Sequence, residues 1–261
     1  ETFSSTRGTL TMSGTDLELL SDLSLSSDSA VTVNELSLEN KTLNLQSTSS
    51  FTVAQQIVLD NTNERITWDE NTALTLSGGV KLDPTGELAW KNPGNLTIGD
   101  IKLNGGVLKI GETGSQTFAL TSNLELQEDS EIYFNSGSIL NYSGAEVSVG
   151  NVLTLGGSGQ LQNTNALNLS GTNGKLKLSS ITVDSVSTSA DSSGLDVDED
   201  SAITSLQVGN ITPVAIADGR SLSGGITVTG GSLQLAETGT LASAISMSGG
   251  TLDVDDSLTV S

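Results

Sequence analysis

Short apolar-x-apolar triplets run the length of the chain, most of them followed by Gly, Asn, Asp or Ser. Leu10-Thr-Met12, Leu17-Glu-Leu19 and Leu23-Ser-Leu25 are the first three. Alternation sends two side chains of each triplet to one face of an extended segment and one to the other. Strands this short and this closely spaced do not make a sandwich. The triplets recur in threes. One series starts at Leu10, Val31, Phe51, Leu74, Leu96, Phe118, Leu140, Leu161 and Ile181, a mean spacing of about 21.4 residues. A second starts at Leu17, Leu36, Ile57, Val80, Ile101, Leu124, Val147 and Leu167, and a third at Leu23, Leu43, Ile66, Leu88, Leu108, Ile132, Leu153 and Leu176. Three short strands per 21–22-residue coil predict an all-β fold, a triangular parallel β-helix of roughly 12 coils. Its inward columns include Leu59, Leu82, Leu103 and Leu126, which close consecutive triplets of the second series. Asp83-Pro84-Thr85-Gly86 and Asn92-Pro93-Gly94 fall between triplets, where Pro removes no ladder donor and Gly supplies positive φ.

Regularity weakens after Val183. Residues 184–224 read as an irregular, loop-rich patch, with a bulging loop at 184–194, strands again at Leu195-Asp-Val197 and Leu206-Gln-Val208, and no clear element over 211–222; the triplets return from Ile226. We expect residues 1–261 to form one continuous solenoid interrupted by that patch.

Composition supports a thin aliphatic core: aromatics are only 3% of the chain and hydrophobics 35%. The chain has no His and no Cys. That excludes Ser-His-Asp and Cys-His catalysis, His or Cys metal sites and disulfides. The net charge of −21 repels phosphate backbones and anionic lipid, so nucleic acid is not an expected partner. No apolar run approaches the ~20 residues that span a bilayer as a helix, so no membrane insertion of this segment is expected.

A Gly-rich opening precedes several triplets: Gly78-Gly-Val-Lys-Leu82, Gly105-Gly-Val-Leu-Lys-Ile110, Gly224-Gly-Ile-Thr-Val228, Gly230-Gly-Ser-Leu-Gln-Leu235 and Gly249-Gly-Thr-Leu-Asp-Val254. This style of repeat resembles bacterial autotransporter passengers and filamentous-haemagglutinin-like surface adhesins. The resemblance implies a right-handed solenoid, an extracellular or cell-surface location and a role in adhesion or surface assembly. It also implies a secretion signal and a translocator barrel. Neither is in this sequence, so a segment of a longer surface protein is expected.

Several residues invite a chemical reading. The outward middle residues of the first series are Thr11, Thr32, Thr52, Thr75 and Thr97 in succession, followed by Ala119, Asn141 and Gln162. A Thr row on a flat face is a candidate surface for ice or glycan, though ice-binding solenoids present two such rows. Asp196-Val-Asp198-Glu-Asp200 places three carboxylates on one side of an extended chain, a candidate calcium site. An EF-hand is excluded, because its sixth and twelfth positions are Ser201 and Gln207. Arg65 lies close in sequence to Asp60, Asp69 and Glu70, the best grouping for a polysaccharide lyase. Trp68 and Trp90 close third-series triplets and are expected in the core; Tyr142 and Asn163 share a first-series core column. The expected function is a non-enzymatic structural or adhesive stalk, or a segment of a bacterial surface fibre or matrix. Alternatives are a glycan- or ice-binding module and, third, a polysaccharide-degrading enzyme. Expected partners are a longer parent chain or end-to-end copies of this one, and cell-surface glycans. No cofactor beyond calcium is expected.

Overall fold

The computed structural model describes residues 2–5, 16–27, 30–46, 50–69, 72–91, 96–112, 115–236, 239–254 and 259–260. Among the described residues there are 33 strands and no helix. Every ladder joins parallel strands of neighbouring coils. The result is a β-solenoid of about 11 turns with a repeat near 21 residues. The sequence suggested roughly 12; the triplet at Leu10 lies outside the described residues.

The inward columns form as the alternation requires. Val31, Phe51, Leu74 and Leu96 stand in register. So do Leu59, Leu82, Leu103 and Leu126. The core is one aliphatic column thick, with Trp68 and Trp90 buried in it as expected. Trp90 meets the ring of Phe118 edge-on at 5.4 Å between centroids. The corner Asp83-Pro84-Thr85-Gly86 closes with Gly86 N–H donating to Asp83 C=O at 2.8 Å. Positive φ falls on Thr85 (73°), not on Gly86. Gly86 is required for another reason: a Cβ there would sit 1.8 Å from the carbonyl oxygen of Leu59 in the preceding coil.

Two registers differ from the sequence reading. Phe134 pairs with Gly157 rather than with Leu155, which stands opposite Ile132. The third-series column therefore slips by two residues, aided by Gly157, whose φ of 94° and lack of a Cβ admit the carbonyl of Phe134. In the first series Leu161 pairs with Val183, not with Ile181.

The larger correction concerns residues 184–224. This stretch is not loop-rich; it holds parts of the longest strands in the molecule. Thr182–Thr188, Ser201–Val208, Ser221–Val228 and Thr240–Met247 are seven or eight residues each. Thr182–Thr188 pairs with two strands of the preceding coil, Gln160–Asn163 along its first half and Leu167–Leu169 along its second. The corner between the first and second series has been deleted, and two short strands have fused into one. Inward-facing Leu161 and Leu167 are six residues apart, whereas their partners Val183 and Val186 are three apart. Two adjacent outward residues, Asp184 and Ser185, take the place of the corner. From here the coil has two strands rather than three, and the repeat between the long strands falls to 19 residues by Ser221–Val228 and Thr240–Met247.

Tyr142 and Asn163 prepare that transition. The Tyr142 hydroxyl donates to Ala145 C=O at 2.7 Å and accepts from Leu124 N–H at 3.2 Å, stapling two successive corners. In the next coil the buried Asn163 donates to Ser185 C=O at 2.6 Å and to Asn165 C=O at 2.9 Å, and accepts from Ser185 N–H at 3.1 Å. Its amide behaves as an extra peptide group, completing the ladder where the corner disappears. Replacing Asn163 by Leu should cost about 1–3 kcal/mol, because it strands buried backbone groups. Hydrogen exchange should accelerate at Ser185 first; unchanged protection there would remove Asn163 from this role.

Candidate functional site

The first-series face presents the Thr row. Thr32, Thr52, Thr75 and Thr97 are cross-strand neighbours in one ladder, with Thr97 the most exposed. Thr11 lies outside the described residues. Ala30, Ser50 and Ala73 flank the row, so it is single. In the ladder that follows, Ala119, Asn141 and Gln162 hold the equivalent positions.

The three aspartates are arranged differently from a metal-binding cluster. Asp196 receives the Lys175 ammonium of the preceding coil at 2.9 Å. Asp198 is exposed beyond the end of its strand. Asp200 accepts from the backbone N–H of Ser221 at 2.8 Å and from its hydroxyl at 3.1 Å. Glu199, between them, pairs with Arg220 at 2.5 Å. Among the described residues no three His, Cys, Asp or Glu side chains are grouped so as to hold a metal ion. We expect the same melting temperature with calcium as with chelator. A calcium-dependent rise that vanishes in the triple variant D196N/D198N/D200N would instead place the ion there.

Arg65 opens a groove of about 250 Å³ on the third-series face. Its companions there are not Asp60 or Asp69. They are Glu87, Lys91, Lys109 and Glu112 from the following coils; Glu70 lies outside the described residues. Lys109 holds Glu87 at 2.5 Å, and Lys91 holds Glu112 at 2.6 Å. Three of the chain's ten cationic side chains thus converge in one place.

An acidic corner, missed in the sequence, lies beside the second-series face. Glu64 is buried, with its carboxylate accepting from Asn40 N–H at 3.1 Å and Asp60 N–H at 2.9 Å. Asn40 belongs to the preceding coil and has a φ of 63°, so Glu64 locks a left-handed corner to its successor. The signal available in sequence was a glutamate just ahead of a strand, which is too common to single out. Glu64 also raises the carboxyl of Asp60 above its ordinary range through charge repulsion, with burial adding to the effect. Asp83 shifts the other way. Burial alone would raise it, but hydrogen bonds from Lys81 at 2.7 Å and from Asn104 outweigh that.

Linkage gives these shifts opposite signs. A raised folded-state pKa at Asp60 means that folding is penalised above it and that stability rises as pH falls through it, above 3.8. The lowered pKa at Asp83 means stability is kept above 3.8 and lost as pH falls below that value. Melting temperature should therefore climb on mild acidification and then drop. Asp60→Asn should raise the neutral-pH value and flatten the climb, and an unaltered pH profile would refute the assignment.

The charges of the molecule are strongly segregated. Seven consecutive strands of one sheet face outward from Thr117–Leu120, Ile139–Tyr142 and Gln160–Asn163 through the four long strands to Thr240–Met247. Their 43 residues include one charged side chain, Asp184, where the chain's 16% content would put about seven. The nine strands of the third-series sheet hold seven in 42 residues. The four strands of the Thr-row ladder hold none. This face was legible in principle, by sorting charges according to triplet series.

No family model, curated protein or solved structure matches this chain.

Proposed function

We propose that this chain is a non-enzymatic structural or adhesive rod, a stalk or a segment of a fibre or matrix on a bacterial cell surface. The observation that carries this reading is the stack of parallel ladders along about 11 turns, staggered so that a gap in one ladder is crossed by ladders on the other faces, and held by stacked aliphatics and inter-coil hydrogen bonds. At ~4.8 Å per coil such a stack is about 50 Å long and stiff along its axis. Acidic side chains on its other faces keep it soluble and apart from anionic surfaces. Aspartates contribute to the stiffness: Asp22, Asp100, Asp129, Asp191 and Asp200 each accept a backbone N–H from the coil that follows.

The test is a purified chain examined by small-angle scattering, limited proteolysis and incubation with polysaccharides. A protease-resistant rod of that length without turnover supports the reading, and cleavage of a polysaccharide overturns it. A second reading, glycan binding, is favoured by the groove at Arg65, where the arginine and two Lys–Glu pairs leave a net positive lining in an acidic chain. Binding of a uronate oligosaccharide that is lost in Arg65→Ala would establish it.

A further inference from the structure

From the segregation of charge we infer that the uncharged face from Thr117 to Met247 is a lateral docking surface for a second copy of this chain. The inference deepens the building-block reading and rests on it for its biological sense. The physical argument begins with repulsion. Each copy carries a net charge of −21, so most approaches bring carboxylates together. Like charges juxtaposed across an interface cost several kcal/mol. This face alone among the long sheets offers an approach that avoids that cost, with Asp184 as its single charge. Even that carboxylate is engaged, accepting from Gln160 of the preceding coil at 3.2 Å.

Size and shape agree. Seven strands at ~4.8 Å span about 34 Å, and strands of four to eight residues at ~3.3 Å give a mean width near 20 Å. Each partner would bury roughly 700 Å², about 1,400 Å² in all, within the standard range for a specific complex. The outward rows are short and uniform. Ser185, Ser205, Gly225 and Ala244 form one, and Ser187, Gln207, Thr227 and Ser246 another. Such rows let two sheets approach closely, while the amides and hydroxyls supply hydrogen bonds across the contact. Identical coil spacing in both partners makes the surface self-complementary about a two-fold axis. The rim is charged where the long strands begin, at Glu199, Asp200 and Arg220, giving the polar border typical of an interface. No aromatic side chain points outward from this face to stack a sugar ring; the aromatic rings on these strands, Phe118 and Tyr142, are buried.

The test combines sedimentation equilibrium with small-angle scattering on the whole chain. We expect a dimer whose cross-section is doubled and whose length is unchanged. Association should strengthen with added salt, which screens the repulsion between two acidic rods. Thr204→Glu with Gln207→Glu places two charges on exposed positions of the face and should weaken association at least about ten-fold. Thr154→Glu with Gln234→Glu adds the same charge to the third-series face and should leave association intact. Circular dichroism of both variants separates lost pairing from lost folding. A monomer at all salt and protein concentrations overturns the inference. So does equal weakening by both variants, growth in length alone, or a face that takes up a neutral polysaccharide instead. None of these outcomes touches the length or protease resistance of the single rod, which test the functional reading separately.

Discussion

Leu103→Asp is expected to melt the coils around it at temperatures where the parent is intact. Leu103 is 1% exposed and stacked between Leu82 and Leu126 in neighbouring coils. A carboxylate there would be shut off from bulk solvent among aliphatic side chains. Burying it unpaired costs at least about 3 kcal/mol, and protonation relieves only part of that. Leu103→Ala is the comparison that isolates packing, at about 2–4 kcal/mol for the lost side chain and its cavity. The two should differ sharply near neutral pH and converge in acid. A Leu103→Asp chain that melts within a degree of the parent would mean that this column is not the core.

Gly224→Val should have an effect of similar size by another route. Gly224 lies within the long strand Ser221–Val228 with a φ of 127°, a conformation that side chains rarely adopt. A Cβ there would sit 1.8 Å from the carbonyl oxygen of Ile203 in the preceding coil. That oxygen is backbone and cannot swing aside, so the ladder between the two strands must open. The register shift between Ile203 and Ser205 already lies at this point. Because each coil is held mainly by its two neighbours, damage should stay local. Hydrogen exchange should rise across Ser201–Val208 and Ser221–Val228 while the coils around Trp90 keep their protection. Uniform loss of protection would show that the rod unfolds as one unit.

The columns were readable in sequence because a triplet with two inward residues declares its own parity. Leu59, Leu82, Leu103 and Leu126 needed no further information. The slip at Phe134 and Gly157 was invisible for the same reason, since a shift of two residues preserves parity and leaves the pattern unchanged. Residues 184–224 misled by the opposite mechanism. Val183 and Val186 both point inward though they are three apart, so alternation fails just where two strands merge. A broken period then looks like a loop. The candidate sites were less legible still. Asp196 is two residues from Asp198 in sequence, but its actual partner is Lys175, one coil away. Arg65 likewise shares its groove with Glu87 and Glu112, carboxylates of later coils, rather than with its neighbours in sequence. In a solenoid, chemistry gathers at separations near the repeat length, while short-range motifs describe only one edge of the surface.

The constant spacing between paired strands also bears on how the chain reaches its fold. Sheet proteins usually fold slowly, because their strands must find partners far along the chain. Here the ladders join residues mostly 19 to 24 positions apart, as at Thr182–Thr188 against Leu167–Leu169 and at Val107–Ile110 against Glu131 to Phe134. A separation near 21 in a chain of 261 is a relative contact order of about 0.08, in the range of helical bundles. Lengthening such a chain by further coils would leave the loop that each new strand must close the same size. Assembly is then a zipper that starts wherever one pair of coils first holds and advances a coil at a time, with an elementary step whose speed does not depend on how long the rod becomes.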